Sequence, residues 1–313
     1  MTTIRRATAI EVQVPATSAN LGPGYDCLGL ALGIHDRLIA VVTDDPGVRV
    51  DVEGEGAGSL PSDETHLVAK AAARGFAALG VQMPGLLLRC SNSIPQGRGL
   101  GSSAAAIIAG LIIARDLVDG GAELMPDPVI LDLATGMEGH PDNVAAALLG
   151  GFTTAWIESP EEDPPHTSAL VRPAHTSVQP VVAIPAAPVP TAHARTLLEA
   201  SVTRESAVFN IARTAALTHA LCIDPGLLFT ATEDRLHQDA RAAAYPDSHQ
   251  LMSMMRAQGF PTVISGAGPT VMVLTETPDD AIRALQGATD GTWRILAVAV
   301  DTDGVRSRTR SLG

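Results

Sequence analysis

The chain has 313 residues, enough for one large domain or two of ordinary size; 46% of them are hydrophobic and only 3% aromatic, so Ala, Val, Leu and Ile must fill the core. A formal net charge of −13 argues against nucleic acid as a partner, because such binding rests on Lys and Arg neutralising phosphates. Any small anionic substrate must be drawn in by a local positive patch or by backbone dipoles, and the three scattered cysteines (Cys27, Cys90, Cys222) fit neither a disulfide framework nor a zinc site.

The opening residues, MTTIRRATAIEV, hold no apolar stretch of signal-peptide length. No run approaches the roughly 20 apolar residues of a membrane span, so the expectation is a soluble cytoplasmic protein with no membrane partner. Ile10, Val12 and Val14 alternate with Glu11 and Gln13 as in a half-buried strand, and PATSANLGPGYD (15–26) breaks the pattern with turn residues. Leu28, Leu30 and Leu32 resume the alternation, DRLIAVVT continues it, and Val48, Val50 and Val52 form another set closed by GEGAG. THLVAKAAARGFAALG predicts a helix ended by Gly80, and GLLLRCSNS a strand. SSAAAIIAGLIIARDLV, from Ser102, is apolar nearly all round and predicts a buried helix. Two helices follow, the first opened by Asp127 as N-cap with Pro128 behind it, the second by Pro141 with Asp142 in its first turn.

After a strand at FTTAWIES, the acidic, proline-rich ESPEEDPPHTS marks a surface loop and a domain boundary, dividing the chain into 1–157 and 158–313. The second half predicts a strand at QPVVAIP and helices at HARTLLEA, ESAVFNIARTAALTHAL, GLLFTATEDRLHQDARAA and SHQLMSMMRAQG. TVISGAGPTVMVLTE reads as two strands about a tight turn, DDAIRALQGA as a helix and TWRILAVAV as a closing strand. Strands and helices alternate irregularly, which favours an α+β fold in two domains over a doubly wound sheet.

The stretch IPQGRGLGSSAAA (94–106) carries the chemistry. Gly97, Gly99 and Gly101 allow left-handed backbone and close approach to a ligand. The turn feeds a helix start whose N–H groups lack intrahelical partners and whose dipole favours an anion. Ser102 and Ser103 add hydroxyls that can donate to phosphate or ligate Mg²⁺. The lysine of the usual phosphate loop is missing, and backbone amides with a metal can replace it. The same pattern also serves a plain strand-to-helix turn in which Ser102 caps the helix.

The P-x-G-x-G-L-G-S-S-A-A pattern resembles the central ATP-binding motif of the GHMP kinases. PATSANLGPGYDCLGLAL (15–32) resembles the N-terminal motif of the homoserine kinases in that superfamily, and SGAGPTV (265–271) its C-terminal glycine motif. EGHPDNVA and TAHAR fall between them in the same order, so the likeness spans nearly the whole chain. The resemblance implies a two-domain GHMP kinase fold: an ATP-binding N-terminal domain with a left-handed βαβ unit and a ferredoxin-like C-terminal domain. It implies transfer of the γ-phosphate of ATP to the side-chain hydroxyl of L-homoserine in threonine biosynthesis. A homodimer is common among such kinases.

What the resemblance implies for single residues is specific. Pro95, Gly97, Arg98, Gly99, Leu100, Gly101, Ser102 and Ser103, with Gly266 and Gly268, belong to the ATP site. His66 stands where Asn is usual, beside the adenine, and Tyr25 where Phe is commoner. Glu138 and Ser103 match the Mg²⁺ ligands, a carboxylate and a hydroxyl being enough for a metal that keeps phosphate oxygens and water. Arg195 and Arg241 match arginines that hold the homoserine carboxylate in a bidentate fork. Asn20 and Asp26 match residues at the amino end of the substrate, though such residues also serve Asx turns. His140, Asn143 and Thr191 complete the acceptor site. Asp142, Asn143 and Glu138 are the catalytic candidates, Asp142 being the nearest to a base and also a helix-start residue. Two other readings remain: a GHMP kinase acting on a different alcohol, and a nucleotide-binding regulatory protein without catalysis.

Overall fold

The computed structural model describes residues 3–189 and 191–312, the side chains of 191–193 excepted. The first half forms β1 (Thr8–Ala19), β2 (Leu28–Thr43), β3 (Val48–Gly54), α1 (Leu67–Ala78), β4 (Gly85–Asn92), α2 (Ser102–Leu117), α3 (Gly121–Leu124), α4 (Asp127–Glu138), α5 (Pro141–Leu149), β5 (Phe152–Ser159) and β6 (His166–Arg172). The second half forms β7 (Gln179–Ile184), α6 (Thr191–Thr196), α7 (Arg204–Cys222), α8 (Leu228–Ala231), α9 (Pro246–Ala257), β8 (Thr262–Ile264), β9 (Val271–Thr275), α10 (Pro278–Ala288), β10 (Arg294–Ala297) and β11 (Arg306–Ser311).

The larger sheet runs β11-β1-β2-β4-β3, with β5 joined to β2 and β6 to β5. Among the described residues only β3 and β4 pair in parallel, linked through α1 as a βαβ unit. The smaller sheet has the order β10-β7-β9-β8 with antiparallel pairing throughout. Its β-α-β-β-α-β sequence and this order give the ferredoxin-like arrangement. The α+β expectation therefore holds, with one sheet in each half.

Helix α2 is the hub of the first layer. It packs on β1, α1, α4 and α5, and Ile107, Ile108, Leu111, Ile112, Ile113 and Leu117 are all buried. Each such side chain contributes about 1.5–3 kcal/mol on leaving water. That burial anchors the helix firmly enough to hold its N-terminus at a fixed place.

Four local expectations change. β1 does not stop at the PATSA turn signal but continues through it to Ala19, absorbing the irregularity as a register shift between Pro15 and Ala16. Pro126, not Asp127, is the N-cap of α4, and the Asp127 carboxylate instead accepts from Arg115. The GLLFTATEDRLHQDARAA segment is not one helix. α8 ends at Ala231, and the Asp234 carboxylate then takes the N–H groups of Leu236, His237 and Gln238 and the amide of Asn210. That local acceptor outcompetes helical carbonyls and turns the chain. Finally, the last strand is β11, antiparallel to β1, rather than the one at TWRILAVAV.

The division at 157/158 falls inside the β5–β6 hairpin, whose pairing runs from Phe152↔Arg172 to Ser159↔His166. Sheet membership changes between β6 and β7 and returns to the first sheet at β11.

Candidate active site

The glycine turn between β4 and α2 opens into a cavity of about 310 Å³. Gly97, Gly99 and Gly101 have φ of +63°, +71° and +70°. At Gly101 a Cβ would come within 1.9 Å of Thr17 Oγ1, and at Gly99 within 2.1 Å of the Ser265 carbonyl, so neither position admits a side chain. Gly101 is the N-cap of α2 and no side chain caps the helix. Ser102 is thus not spent on capping, and it lines the cavity with Gly99, Leu100, Gly101 and Ser103. The open amides and the helix dipole suit this rim to an anion.

Two motif residues do other work. Arg98 turns away and donates to the carbonyls of Gln96, Pro185 and Ala186, bracing the turn against the second half. Gly268 lies behind the cavity wall against Tyr245. Gly266 does line the cavity, and the Ser265 hydroxyl donates to the Gly99 carbonyl at 2.6 Å, latching the two glycine turns together.

Beyond α2, Ser103 Oγ donates to Glu138 Oε1 at 2.6 Å. Burial pushes the Glu138 carboxyl above the usual carboxylate range, against the hydroxyl bond from Ser103 and the charge of His140. At the start of α5, Asp142 is buried and its Oδ1 accepts from the Asn143 amide at 2.7 Å, with His140 Nδ1 at 2.6 Å. Burial works to lower the His140 imidazole, but the hydrogen bond to Asp142 and the charges of Asp142 and Glu138 outweigh it and hold it above its ordinary value. Thr17 Oγ1 donates to Asn143 Oδ1 at 2.8 Å, which fixes that amide with its NH₂ group free of any partner among the described residues.

At the other wall, Arg195 grips Asp26 with two hydrogen bonds, 3.1 and 2.7 Å. Asp26 has φ +54°, a left-handed position held by its own N–H donating to Asn20 Oδ1, while Asn20 Nδ2 donates to the Gly266 carbonyl. The Asx turn and the site therefore use the same residues. Arg241, expected on a helix, sits instead in the turn after the Asp234 cap, only 1% exposed. It donates to the Ala194 carbonyl at 3.2 Å and lies 3.4 Å from His237 Nδ1, with no carboxylate partner among the described residues. The Tyr25 hydroxyl accepts from Arg195 at 3.1 Å and from Arg241 at 3.5 Å.

The cavity thus gathers Asn20, Asp26, His66, Pro95, Gly97, Glu138, His140, Asp142, Asn143, Arg195 and Arg241 on one surface. The Thr191 side chain lies outside the described residues. Sequence reasoning missed the orienting role of Thr17, the acid Asp36 and the hydroxyl of Tyr25. Asp36 sits within an ordinary-looking strand pattern, and Thr17 within what reads as a turn, so neither carries a local signal. Asp26, His140 and Asp142 also bring ligating atoms within 4.8 Å of one another.

Models of the GHMP kinases N-terminal domain and of the GHMP kinases C-terminal domain match residues 66–151 and 221–290. A homoserine kinase of Clavibacter michiganensis is 49% identical over 298 residues, 94% of this chain and 92% of that protein. One of Streptomyces coelicolor is 49% identical over 300 residues, covering 96% and 94%. The crystal structure of homoserine kinase from Cytophaga hutchinsonii superposes with a TM-score of 0.80 at 26% identity, covering 96% of this chain and 97% of that one.

Proposed function

The chain belongs to the GHMP kinases, among the homoserine kinases of that family, and we propose that it transfers the γ-phosphate of ATP to the side-chain hydroxyl of L-homoserine, giving O-phospho-L-homoserine and ADP. The observation that carries the acceptor assignment is Arg241. A guanidinium 1% exposed, at the wall of a cavity and without a carboxylate, leaves a buried charge that a substrate carboxylate would complete. Arg195 supplies the second fork and Asp26 the counter-charge for the ammonium, so the wall is complementary to a zwitterion. Mevalonate has a carboxylate but no amine, and would leave Asp26 unanswered.

The α2 amides with Ser102 hold the phosphates, and Gly97, Gly99 and Gly101 let the backbone approach them. Ser103 and Glu138 fit Mg²⁺: both are hard oxygen donors 2.6 Å apart, and the half-buried carboxylate gains from a cation. When bound, the metal neutralises charge on the phosphates. The acceptor oxygen attacks the γ-phosphorus, a P–O bond forms, and the bond to the β-phosphate oxygen breaks to release ADP. Asp142 and the free amide of Asn143 orient the hydroxyl, and the proton passes to a γ-phosphate oxygen or to Asp142. Catalysis is then mostly positioning and electrostatics.

A panel of small alcohols with Mg-ATP, followed by ³¹P NMR, tests this reading. Phosphorylation of L-homoserine at its side-chain oxygen supports it. Turnover of mevalonate with none of homoserine overturns the substrate, and ATP binding without transfer to any alcohol would favour the regulatory reading.

A further inference from the structure

The guanidinium of Arg241 has three partners, and all of them are neutral. Its Nε donates to the Ala194 carbonyl at 3.2 Å, one terminal nitrogen to His237 Nδ1 at 3.4 Å and the other to the Tyr25 hydroxyl at 3.5 Å. Two of its five N–H groups remain without an acceptor among the described residues, as many as a carboxylate takes in a bidentate fork. Arg195 differs, because the Asp26 carboxylate already answers that charge.

His237 is itself 1% exposed, and its Nε2 lies 2.7 Å from the Gly22 carbonyl. A carbonyl oxygen can only accept, so the ring proton sits on Nε2 and Nδ1 keeps the lone pair that meets the Arg241 N–H. The imidazole is thereby neutral, since a second proton on Nδ1 would face a fixed positive charge. Burial holds its pKa below the ordinary value and Arg241 adds to that effect, against the pull of Asp234, the Gly22 bond and Asp26. The Arg241 amide also donates to the His237 carbonyl at 3.0 Å, one turn that sets the two side chains on the same side. Gly22 belongs to the turn between β1 and β2 that carries Asn20 and Asp26. One ring therefore joins the turn that bears Asp26 to the free fork of Arg241.

We infer that His237 is a positioning residue for the acceptor: a neutral imidazole, anchored on the Asn20–Asp26 turn, that aims the Arg241 fork at the substrate carboxylate without neutralising it. The inference rests on L-homoserine being the acceptor and on Arg241 receiving its carboxylate. An acid in place of His237 would hold Arg241 as firmly but would compete with the substrate for its charge. A neutral acceptor fixes the direction of the fork and leaves the charge for the ligand.

The experiment measures steady-state kinetics, with L-homoserine and ATP varied in turn, for the natural chain, His237→Gln and His237→Asn. Glutamine places an amide where Nε2 stands, so it keeps the Gly22 bond and removes the acceptor that faces Arg241. Asparagine places one where Nδ1 stands, so its oxygen takes the Arg241 N–H while the Gly22 bond is lost. In His237→Gln the KM for L-homoserine should rise about 5- to 20-fold, with kcat and the KM for ATP changed less than about two-fold. In His237→Asn the KM for L-homoserine should stay within about three-fold of the natural value. A further measurement needs no variant: ¹⁵N NMR of the natural chain at neutral pH should find His237 protonated on Nε2 and bare on Nδ1.

A proton on Nδ1 overturns the inference, as does a His237→Gln chain with the natural KM for L-homoserine. So does a His237→Gln chain in which kcat and both KM values worsen together, the outcome of a merely structural role, or a His237→Asn chain that binds L-homoserine more weakly than His237→Gln. A natural chain that phosphorylates L-homoserine leaves the acceptor reading standing whatever the variants do. One that phosphorylates only some other alcohol overturns that reading and this inference with it.

Discussion

Arg195 reaches from the second half of the chain to Asp26 in the first, closing two hydrogen bonds of 3.1 and 2.7 Å across the mouth of the cavity. The pair brings together the two charges of an amino acid in mirror form. A zwitterion that entered would exchange each partner for one of its own groups, so neither Arg195 nor Asp26 would be left bare in either state.

Arg195→Ala should therefore act on binding. The KM for L-homoserine is expected to rise about 10- to 100-fold with a smaller change in kcat, and the KM for ATP to stay near its natural value. Steady-state kinetics with each substrate varied in turn decide it. An equal loss in both KM values would place Arg195 outside the acceptor site.

The Tyr25 hydroxyl accepts from both arginines, at 3.1 and 3.5 Å, so it aligns them without touching the reacting atoms. Tyr25→Phe keeps the ring under both guanidinium groups and removes only the shared acceptor. The expected result is a rise of about 3- to 10-fold in the KM for L-homoserine, with kcat and thermal stability nearly unchanged. A fall in kcat alone would contradict a positioning role.

Glu138→Ala removes the carboxylate paired with Ser103, and kcat should drop about a hundredfold or more at saturating substrates. An active Glu138→Ala chain argues against the role.

Away from the site, Asp301 binds His35 at 2.6 Å and Arg306 at 2.7 Å and also accepts the amides of Asp303 and Gly304. Burial works against its charge, but these partners prevail and hold its carboxyl at about 2. The unfolded chain takes up that proton near pH 3.9, an approximate reference value. The stabilisation is complete above that pH and is lost as pH falls toward the folded value. Asp301→Asn should cost about 1–3 kcal/mol at neutral pH, a loss that shrinks in acid. Thermal melts of both chains from pH 7 to pH 3 measure the difference directly.

Much of this was legible because backbone requirements leave marks in sequence. Gly97, Gly99 and Gly101 announce their left-handed turn, and the all-apolar run after Ser102 announces a buried helix. The failures arise where a side-chain acceptor or a distant partner, invisible to periodicity, decides the backbone. Asp234 breaks a helix-like segment through hydrogen bonds to amides and to Asn210, and Arg241 is then buried where a helical reading exposes it. The RSRTRS strand shows no apolar alternation because it lies at the sheet edge, and only its pairing with Thr8–Gln13 makes it a strand. Thr17 gains its meaning from Asn143, 126 positions away.

That edge pairing, from Thr8↔Ser311 to Gln13↔Arg306, joins a strand made early in synthesis to one made late. The outer flank of β1 has no neighbour until Arg306–Ser311 emerge, and an unpaired flank is a template for strangers. Premature termination after β10 would release a chain holding every candidate catalytic residue yet with a sticky seam along its first strand. The ladder is continued by the Leu312 amide, which donates to the Ala7 carbonyl at 2.9 Å, so the seam is closed along the whole of the β1 flank that β11 covers.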